Sequence, residues 1–295
     1  MREETTALSS LVPVLVLLGA SFLWGLTWLP LKHFGGYGIE GALVTLFAHG
    51  SAGLLAIPLL IRRRSAWLPH AGALSILALS GGLANLAFAS AIVLGNVTRV
   101  MVLFYLLPAW GVLGARVLLG ERIDRTRAAS LALALVGAFL VLGGYRVVAE
   151  PPTWVDALAI TAGIALALNN VMFRKAQALP ISTKVAAVLV GSLAWALVAV
   201  VVTSAFAKAS APLVVWGEVV GFGLIWILLA TAGTLYGVHH LEAGRSSVLI
   251  VMELVAAVVS FAIVTRHVPS VGECLGGVLV LASALLEGFR AGREA

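Results

Sequence analysis

Charged residues are scarce in this chain: they make up 11% of its 295 residues, whereas a soluble globular domain carries roughly 25%. Hydrophobic residues make up 61% of the sequence, and the mean hydropathy is +1.08. Such a composition excludes a surface that mostly faces water. It indicates that a lipid bilayer is the solvent for most of the protein.

Cysteine is nearly absent as well, since Cys274 is the only one, and an internal disulfide is therefore excluded. The sequence also lacks three catalytic or cofactor motifs: the Gly-x-x-x-x-Gly-Lys-Ser/Thr loop of ATP-binding proteins, the His-Glu-x-x-His zinc motif and the Gly-x-Ser-x-Gly nucleophile elbow. We therefore expect that the protein is not an enzyme and that it binds no metal or other cofactor.

Long apolar runs, by contrast, fill the sequence. A membrane-spanning helix takes about 20 apolar residues, so a chain of this length with short loops holds about ten of them. The predicted fold is an all-α integral membrane protein with ten transmembrane helices. The predicted spans are 8–33, 41–61, 66–94, 97–119, 127–145, 154–178, 184–207, 219–241, 246–265 and 270–289.

The Lys and Arg residues are unevenly divided between the two sides of these spans. If the N-terminus lies inside, 14 of the 19 basic residues fall in inside segments, and only Lys32, Arg99, Arg146, Lys208 and Arg266 fall outside. Cytoplasmic loops carry such an excess, so both termini are predicted to be cytoplasmic. The net charge of +6 is then a signal of membrane topology, and we expect no nucleic-acid partner.

Two stretches of the sequence resemble each other. When 98–109 is aligned with 244–255, Arg99 coincides with Arg245 and Leu103 with Leu249. This similarity predicts two repeats of five spans, 1–147 and 148–295. Because five crossings are an odd number, the second repeat is inverted relative to the first. Inverted repeats are typical of secondary transporters with a substrate site near the middle of the membrane.

The fourth predicted span contains Leu107-Pro108-Ala109 and ends in Leu118-Leu119-Gly120-Glu121-Arg122. A proline-containing helix that ends in a Gly-Glu pair resembles the EamA-type proteins of the drug/metabolite transporter superfamily. In the second repeat, Glu253 stands at the Glu position of the family's Glu-Pro pair, but Leu254 replaces the proline. Arg266-His267 stand where the second Gly-Glu pair would be, so the resemblance is stronger in the first repeat.

The resemblance implies a carrier that works by alternating access. Within the superfamily, the chain is most similar to the YddG-like amino-acid exporters, which implies export of aromatic and other neutral amino acids across the bacterial inner membrane. A carrier of another small metabolite or of a drug is the alternative. A lipid-modifying enzyme or a channel is less consistent with the sequence, which shows no acid–base pair near a membrane interface. We expect a monomer whose partners are the lipid bilayer and a small-molecule substrate.

Polar side chains inside the predicted spans are the first candidates for substrate contact, because burying a polar group in a bilayer is costly. Glu253, in span nine, suits the ammonium group of an amino acid or a proton-linked switch; packing against a neighbouring helix is the alternative. Asn169 and Asn170 in span six and Asn85 in span three suit a substrate's polar groups or hydrogen bonds between helices. Both interpretations stay open.

Aromatic and histidine side chains complete the predicted substrate site. An aromatic ring in a cavity stacks on an aromatic or apolar substrate, and the candidates are Trp24, Trp28, Phe88, Tyr105, Trp110 and Tyr236. Among these, Trp24 and Tyr236 rank first, because Gly25 and Gly237 beside them are expected to leave room for a ligand. His239 and His240, near the inner end of span eight, are candidates for proton transfer or for an interfacial position, and His49 is predicted to be a packed, neutral imidazole. The full predicted substrate-binding set is Trp24, Asn85, Tyr105, Asn169, Asn170, Tyr236, His239 and Glu253.

Three residues are predicted to let helices bend during gating. Pro108 removes a backbone donor from span four and should bend it. Gly81 and Gly82 lie together in the long third span. We expect all three to take part in gating.

Overall fold

The computed structural model describes residues 2–120, 124–141, 151–241, 249–250, 252–266, 268 and 270–294, and this part of the chain is helical without a strand. The α-helices of the described residues are α1 (Arg2–Gly25), α2 (Trp28–Gly36), α3 (Gly41–Val44), α4 (Gly50–Arg62), α5 (Arg64–Trp67), α6 (Ala71–Leu94), α7 (Val97–Phe104), α8 (Leu107–Leu119), α9 (Arg125–Val141), α10 (Trp154–Lys175), α11 (Ile181–Thr203), α12 (Leu213–Gly221), α13 (Leu228–His240), α14 (Met252–Thr265) and α15 (Val271–Glu294). Two π-helical turns, Thr45–His49 and Phe222–Ile227, follow α3 and α12. Two 3-10 turns, Leu68–His70 and Ala205–Lys208, follow α5 and α11.

Many of these helices are apolar enough to lie in a bilayer. Among the described residues, six stretches are also long enough to cross one: Leu11–Gly36, Gly41–Arg62, Arg64–Leu94, Trp154–Lys175, Ile181–Thr203 and Leu213–Val238. Shorter apolar helices lie where spans four, five, nine and ten are predicted, at Ala109–Leu119, Ala128–Leu140, Met252–Thr265 and Val271–Ser283. The chain is therefore a multi-pass α-helical membrane protein. The count of ten crossings and the inverted repeats stay predictions.

Several spans differ from their predicted bounds. The first is interrupted after Gly25, at a turn where Thr27 N donates to Trp24 O over 3.1 Å in place of the next bond of the helical ladder. The seventh ends four residues early, since Ser204 has a φ of 52°. The eighth begins at Leu213 rather than at residue 219, directly after Pro212.

The fourth predicted span is broken into two helices. α7 ends at Phe104, α8 begins at Leu107, and Pro108 lies in the first turn of α8, where a backbone N–H has no helical partner to lose. The proline thus helps to start a new helix. Gly120, after the last residue of α8, has a φ of 71°, a left-handed conformation that favours glycine. α6, by contrast, runs through Gly81 and Gly82 without a break.

The helices form two compact packing units. Unit A comprises Met1–Trp28, Ile123–Glu150 and Leu228–Ala295, and unit B comprises Leu29–Arg122 and Pro151–Ile227. Both units combine stretches from the two halves of the sequence. These packing units do not coincide with the predicted repeats, and the division of the sequence at residue 147 stays a prediction.

In unit A, α1 packs against α13 and α14, and α9 packs against α15. Two buried serines join α9 to α15 reciprocally. Ser130 Oγ donates to Ser283 O over 2.9 Å, and Ser283 Oγ donates to Ser130 O over 2.7 Å. Hydroxyl groups between apolar helices contribute to association in a bilayer, where no water competes for them.

In unit B, α6 packs against α10 and α11, and glycines allow the closest approach. A Cβ on Gly82 would overlap the backbone of Gly191, and a Cβ on Gly191 would overlap the backbone of Ala78. Small residues at helix interfaces are typical of membrane proteins, because close packing replaces the hydrophobic effect there. Gly82 therefore serves helix contact in this structure, and its predicted part in gating stays a prediction.

An ion pair joins the starts of α7 and α10. Arg99 Nε donates to Asp156 Oδ1 over 2.7 Å and Arg99 Nη2 donates to Asp156 Oδ2 over 2.8 Å. The two side chains are only 14% and 9% exposed. The same carboxylate accepts from the backbone N–H of Thr153, whose side chain caps α10 in return. Asp156 thus completes the N-terminal capping box of α10 and also joins α10 to α7.

We expect Asp156→Asn to lower the free energy of unfolding by about 2 kcal/mol, the usual value of hydrogen bonds to a charged partner. The matched control is Glu218→Gln, which removes the exposed His33–Glu218 pair, with side chains 50% and 46% exposed. That change should cost less than about 1 kcal/mol. Thermal unfolding in one detergent compares the two variants, and equal losses would contradict the assignment of Arg99–Asp156 as the stronger pair.

Candidate functional site

A partly buried tryptophan joins α1 to α13 in unit A. Trp24 Nε1 donates to Thr234 Oγ1 over 3.2 Å, and Thr234 Oγ1 donates to Ala230 O over 2.9 Å. Because the hydroxyl hydrogen of Thr234 points to the backbone, its lone pair is oriented toward the indole. The ring of Trp24 is therefore held in one orientation while part of it stays exposed.

Gly25, the next residue, brings α14 to the same place. A Cβ on Gly25 would overlap the carbonyl oxygen of Glu253 and would lie 2.7 Å from the Cβ of Ala256. Glu253 is itself partly buried. Three helices thus bring the indole of Trp24, the hydroxyl group of Thr234 and the backbone of Glu253 to one place in unit A. We call Trp24, Thr234 and Glu253 the candidate site.

Trp28, one turn further along the chain, differs from Trp24 in burial. Its Nε1 donates to Ser260 Oγ over 3.0 Å, and its ring packs edge-on against Phe261 with the ring centroids 5.5 Å apart. Trp28 is only 4% exposed. Its contacts are those of a core residue, whereas Trp24 is only partly buried.

Tyr236 and His240 form a stacked pair on α13. Their ring centroids are 4.2 Å apart, and His240 Nδ1 lies 2.8 Å from Tyr236 O. Tyr236 is 40% exposed. It follows Thr234 by two residues, which corresponds to about 200° around a helix, so it lies on a different face of α13 from the hydroxyl that holds Trp24. The side chain of His239 lies outside the described residues.

The expectation that Gly25 and Gly237 leave room for a ligand is wrong. The space beside Gly25 is filled by the backbone of α14, and a Cβ on Gly237 would lie 2.5 Å from the Cβ of Leu17. Both glycines serve close contact between helices. The sequence pattern does not distinguish these two uses, because a small residue allows a helix and a ligand to approach equally well.

The predicted asparagines lie in unit B, in the contact of α6 with α10 and α11. Asn169 is 5% exposed, and its Nδ2 donates to Leu77 O over 2.9 Å and to Ser80 Oγ over 3.3 Å. Asn85 Nδ2 donates to Ser192 Oγ over 3.0 Å. These amides join helices, which supports the packing interpretation. Asn170, by contrast, is exposed.

Because Asn169 joins helices, we expect Asn169→Ala to lower the free energy of unfolding by about 0.6 kcal/mol, the average value of such bonds in a bilayer. Transport should be retained. Asn170→Ala is the matched control and should leave stability unchanged. A variant Asn169→Ala that keeps its thermal stability but loses saturable transport would show instead that the amide contacts the substrate.

The other predicted polar and aromatic candidates lie in packed surroundings. Tyr105 is partly buried, with its ring centroid 5.5 Å from that of Phe104. His49 is 7% exposed in the first π-helical turn, and its Nδ1 has no hydrogen-bond partner among the described residues. Trp110 Nε1 is likewise buried without a described partner. The predictions for Glu121, Arg122, Arg245 and His267 fall outside the described residues.

Thr234 and Ser260, whose hydroxyl groups accept from Trp24 and Trp28, are not among the residues predicted for the site. Serine and threonine are common in apolar helices, where most bond to their own backbone, so neither residue carries a distinct signal. The described residues hold no group of three or more His, Cys, Asp or Glu side chains that could bind a metal ion. The described part of the candidate site offers the indole of Trp24, the hydroxyl group of Thr234 and the partly buried residue Glu253.

Comparisons with known proteins bear on these observations. The model of the EamA-like transporter family matches residues 11–143. No curated protein matches the chain. A solved structure, described only as the crystal structure of a protein, is similar with a TM-score of 0.66 and 19% sequence identity, over 96% of this chain and 98% of that one. At this identity, the similarity shows a shared fold and no more.

Proposed function

We propose, from the EamA-like transporter domain that residues 11–143 carry, that the chain is a secondary transporter that exports aromatic and other neutral amino acids. It lies in the bacterial inner membrane with both termini in the cytoplasm, as the excess of Lys and Arg in alternate loops supports. It acts as a monomer and moves its substrate by alternating access. It needs no cofactor of its own.

The proposal is supported above all by the candidate site of Trp24, Thr234 and Glu253. A neutral amino acid carries an ammonium group, a carboxylate and a side chain that is often apolar. The Glu253 carboxylate suits the ammonium group in a charge-assisted hydrogen bond. The Trp24 ring offers an aromatic face to the side chain. The site therefore combines the two kinds of group that distinguish an amino acid from a simple anion or cation.

The fixed orientation of Trp24 also bears on selectivity. Its indole is already held by Thr234 over 3.2 Å, so little side-chain freedom is lost when a substrate binds. An aromatic substrate gains from stacking on the ring, and a small one such as alanine does not. We therefore expect phenylalanine to compete more strongly than alanine for the same site.

Transport into liposomes tests the proposal. Purified protein is reconstituted, and the uptake of radiolabelled phenylalanine, threonine and leucine is measured with unlabelled amino acids as competitors. Saturable uptake that unlabelled phenylalanine inhibits more strongly than alanine is the expected result. Uptake of every amino acid at the level of empty liposomes would overturn the proposed substrate class, and a panel of other metabolites and drugs would then replace it.

A further inference from the structure

An apolar groove lies on unit B where α4, α5 and α11 meet. It encloses about 380 Å³, and its walls include Leu60, Trp67 and Val190. Ile61 and Leu68, also in its lining, are 61% and 56% exposed. An exposed apolar groove between membrane helices has hydrocarbon chains as its surroundings, so its natural occupant is part of a lipid.

The groove has a fixed wall. Trp67 Nε1 donates to Leu60 O over 2.8 Å, and this carbonyl lies in the last turn of α4, where helical partners run out. Both residues also pack against the buried cluster around Leu77. The tryptophan is thus held beside the groove by a hydrogen bond and by packing, as expected of a ring at the membrane–water interface.

Three consecutive arginines lie beside the groove. Arg64 lines it directly, and Arg62 and Arg63 precede it at the junction of α4 and α5. Arg63 Nη1 donates to Ser182 Oγ over 3.0 Å, which ties the junction to the start of α11. Among the described residues, neither Arg62 nor Arg64 takes part in an ion pair.

No carboxylate of the described part of unit B lies near these arginines. Its acidic residues are Glu40, Asp156 and Glu218. Glu40 precedes the helical stretch Gly41–Arg62, whose 22 residues span about 33 Å. Asp156 lies in the first turn of α10, at the end far from the arginines. The other end of α10 is joined to the start of α11, near the arginines, because Lys184 Nζ donates to Phe173 O over 2.9 Å.

We propose that this groove binds an anionic phospholipid of the cytoplasmic leaflet, with an acyl chain along Leu60, Trp67 and Val190 and the phosphate on Arg64. The charge supports an anionic headgroup, because basic residues beside an apolar membrane groove attract phosphate. Guanidinium groups also match phosphate in bidentate geometry. Lys184 does not bind the phosphate in this proposal, because its ammonium group already donates to the backbone carbonyls of Phe173 and Ala176.

Native mass spectrometry of the full chain in detergent tests this site by titration with dioleoyl phosphatidylglycerol and dioleoyl phosphatidylcholine. The wild-type protein should bind the first phosphatidylglycerol several-fold more tightly than phosphatidylcholine. Arg64→Gln should weaken phosphatidylglycerol binding roughly fivefold, the value of one basic residue at an anionic membrane surface, and should leave phosphatidylcholine binding unchanged. Arg116→Gln, at another exposed arginine of unit B, is the matched control and should change neither.

Further arms of the experiment separate the groove from general charge attraction. Val190→Trp should fill the groove and reduce the binding of both lipids, and Arg64→Lys should keep the preference for phosphatidylglycerol if Arg64→Gln does not fold. Glycerol phosphate, which has the headgroup without chains, should not compete. Equal binding of the two lipids to the wild type, equal losses in Arg64→Gln and Arg116→Gln, or full competition by glycerol phosphate would overturn the proposal.

Discussion

Gly223→Ala is expected to lower the free energy of unfolding by about 3 kcal/mol, at the upper end of the range for overpacked cores. Gly223 lies in the π-helical turn Phe222–Ile227, which packs against the other π-helical turn, Thr45–His49. A Cβ at this position would overlap the oxygen, carbon and Cα of Ala48. Those atoms are backbone, so the collision is relieved only by moving a whole helix.

Gly221→Ala provides the matched control for this prediction. It lies two residues earlier, and an added Cβ would meet nothing within 4 Å. Alanine favours a helix over glycine by about 1 kcal/mol, so this variant should be as stable as the wild type or more so. Thermal unfolding midpoints and size-exclusion profiles in one detergent measure both variants. If Gly223→Ala were as stable as Gly221→Ala, the close contact of the two π-helical turns would be contradicted.

Glu253→Gln is expected to lower the rate of phenylalanine uptake at low substrate concentration by roughly 10- to 100-fold. A charge-assisted hydrogen bond to a bound ammonium group is worth about 1.5–3 kcal/mol, and each 1.4 kcal/mol is a factor of about ten in affinity. The amide of glutamine keeps the size of the side chain but not its charge. The effect on transport should therefore exceed any effect on thermal stability, and both are measured for the same preparation.

Two further variants locate this effect in the candidate site. Glu218→Gln removes a carboxylate that pairs with His33 and lies half-exposed in unit B, and it should transport phenylalanine normally. Trp24→Phe keeps an aromatic ring but loses the hydrogen bond to Thr234, and it should retain more uptake than Trp24→Ala. Normal uptake by folded Glu253→Gln would remove Glu253 from the substrate site.

The membrane helices followed from hydropathy, because in a bilayer the backbone must satisfy its hydrogen bonds within each helix. Their exact bounds depended on local chemistry that hydropathy does not contain. The turn at Thr27 and the early start of α12 are examples: the first helix is interrupted after Gly25, and the helix that contains Glu218 begins directly after Pro212. How the helices group into packing units depends on contacts such as Gly82 with Gly191, which the order of residues does not reveal.

The candidate site was predictable only in part. Glu253 stands out in the sequence because a carboxylate is costly inside an apolar span, whereas Trp24 is a candidate as an aromatic residue beside Gly25. The neighbours of each residue were not predictable, since they depend on which helix faces meet. Thr234 and Tyr236 show this clearly: they are two residues apart, yet only the first faces Trp24.

Counterflow in liposomes tests most directly whether the chain is a carrier that exposes one amino-acid site to alternate sides of the membrane. Liposomes with the purified protein are loaded with unlabelled phenylalanine and diluted into a trace of labelled phenylalanine. A carrier should accumulate the label transiently above its equilibrium level, and Glu253→Gln should show little of this overshoot. Entry of the label at the same rate with and without internal phenylalanine, and no overshoot, would contradict transport by alternating access.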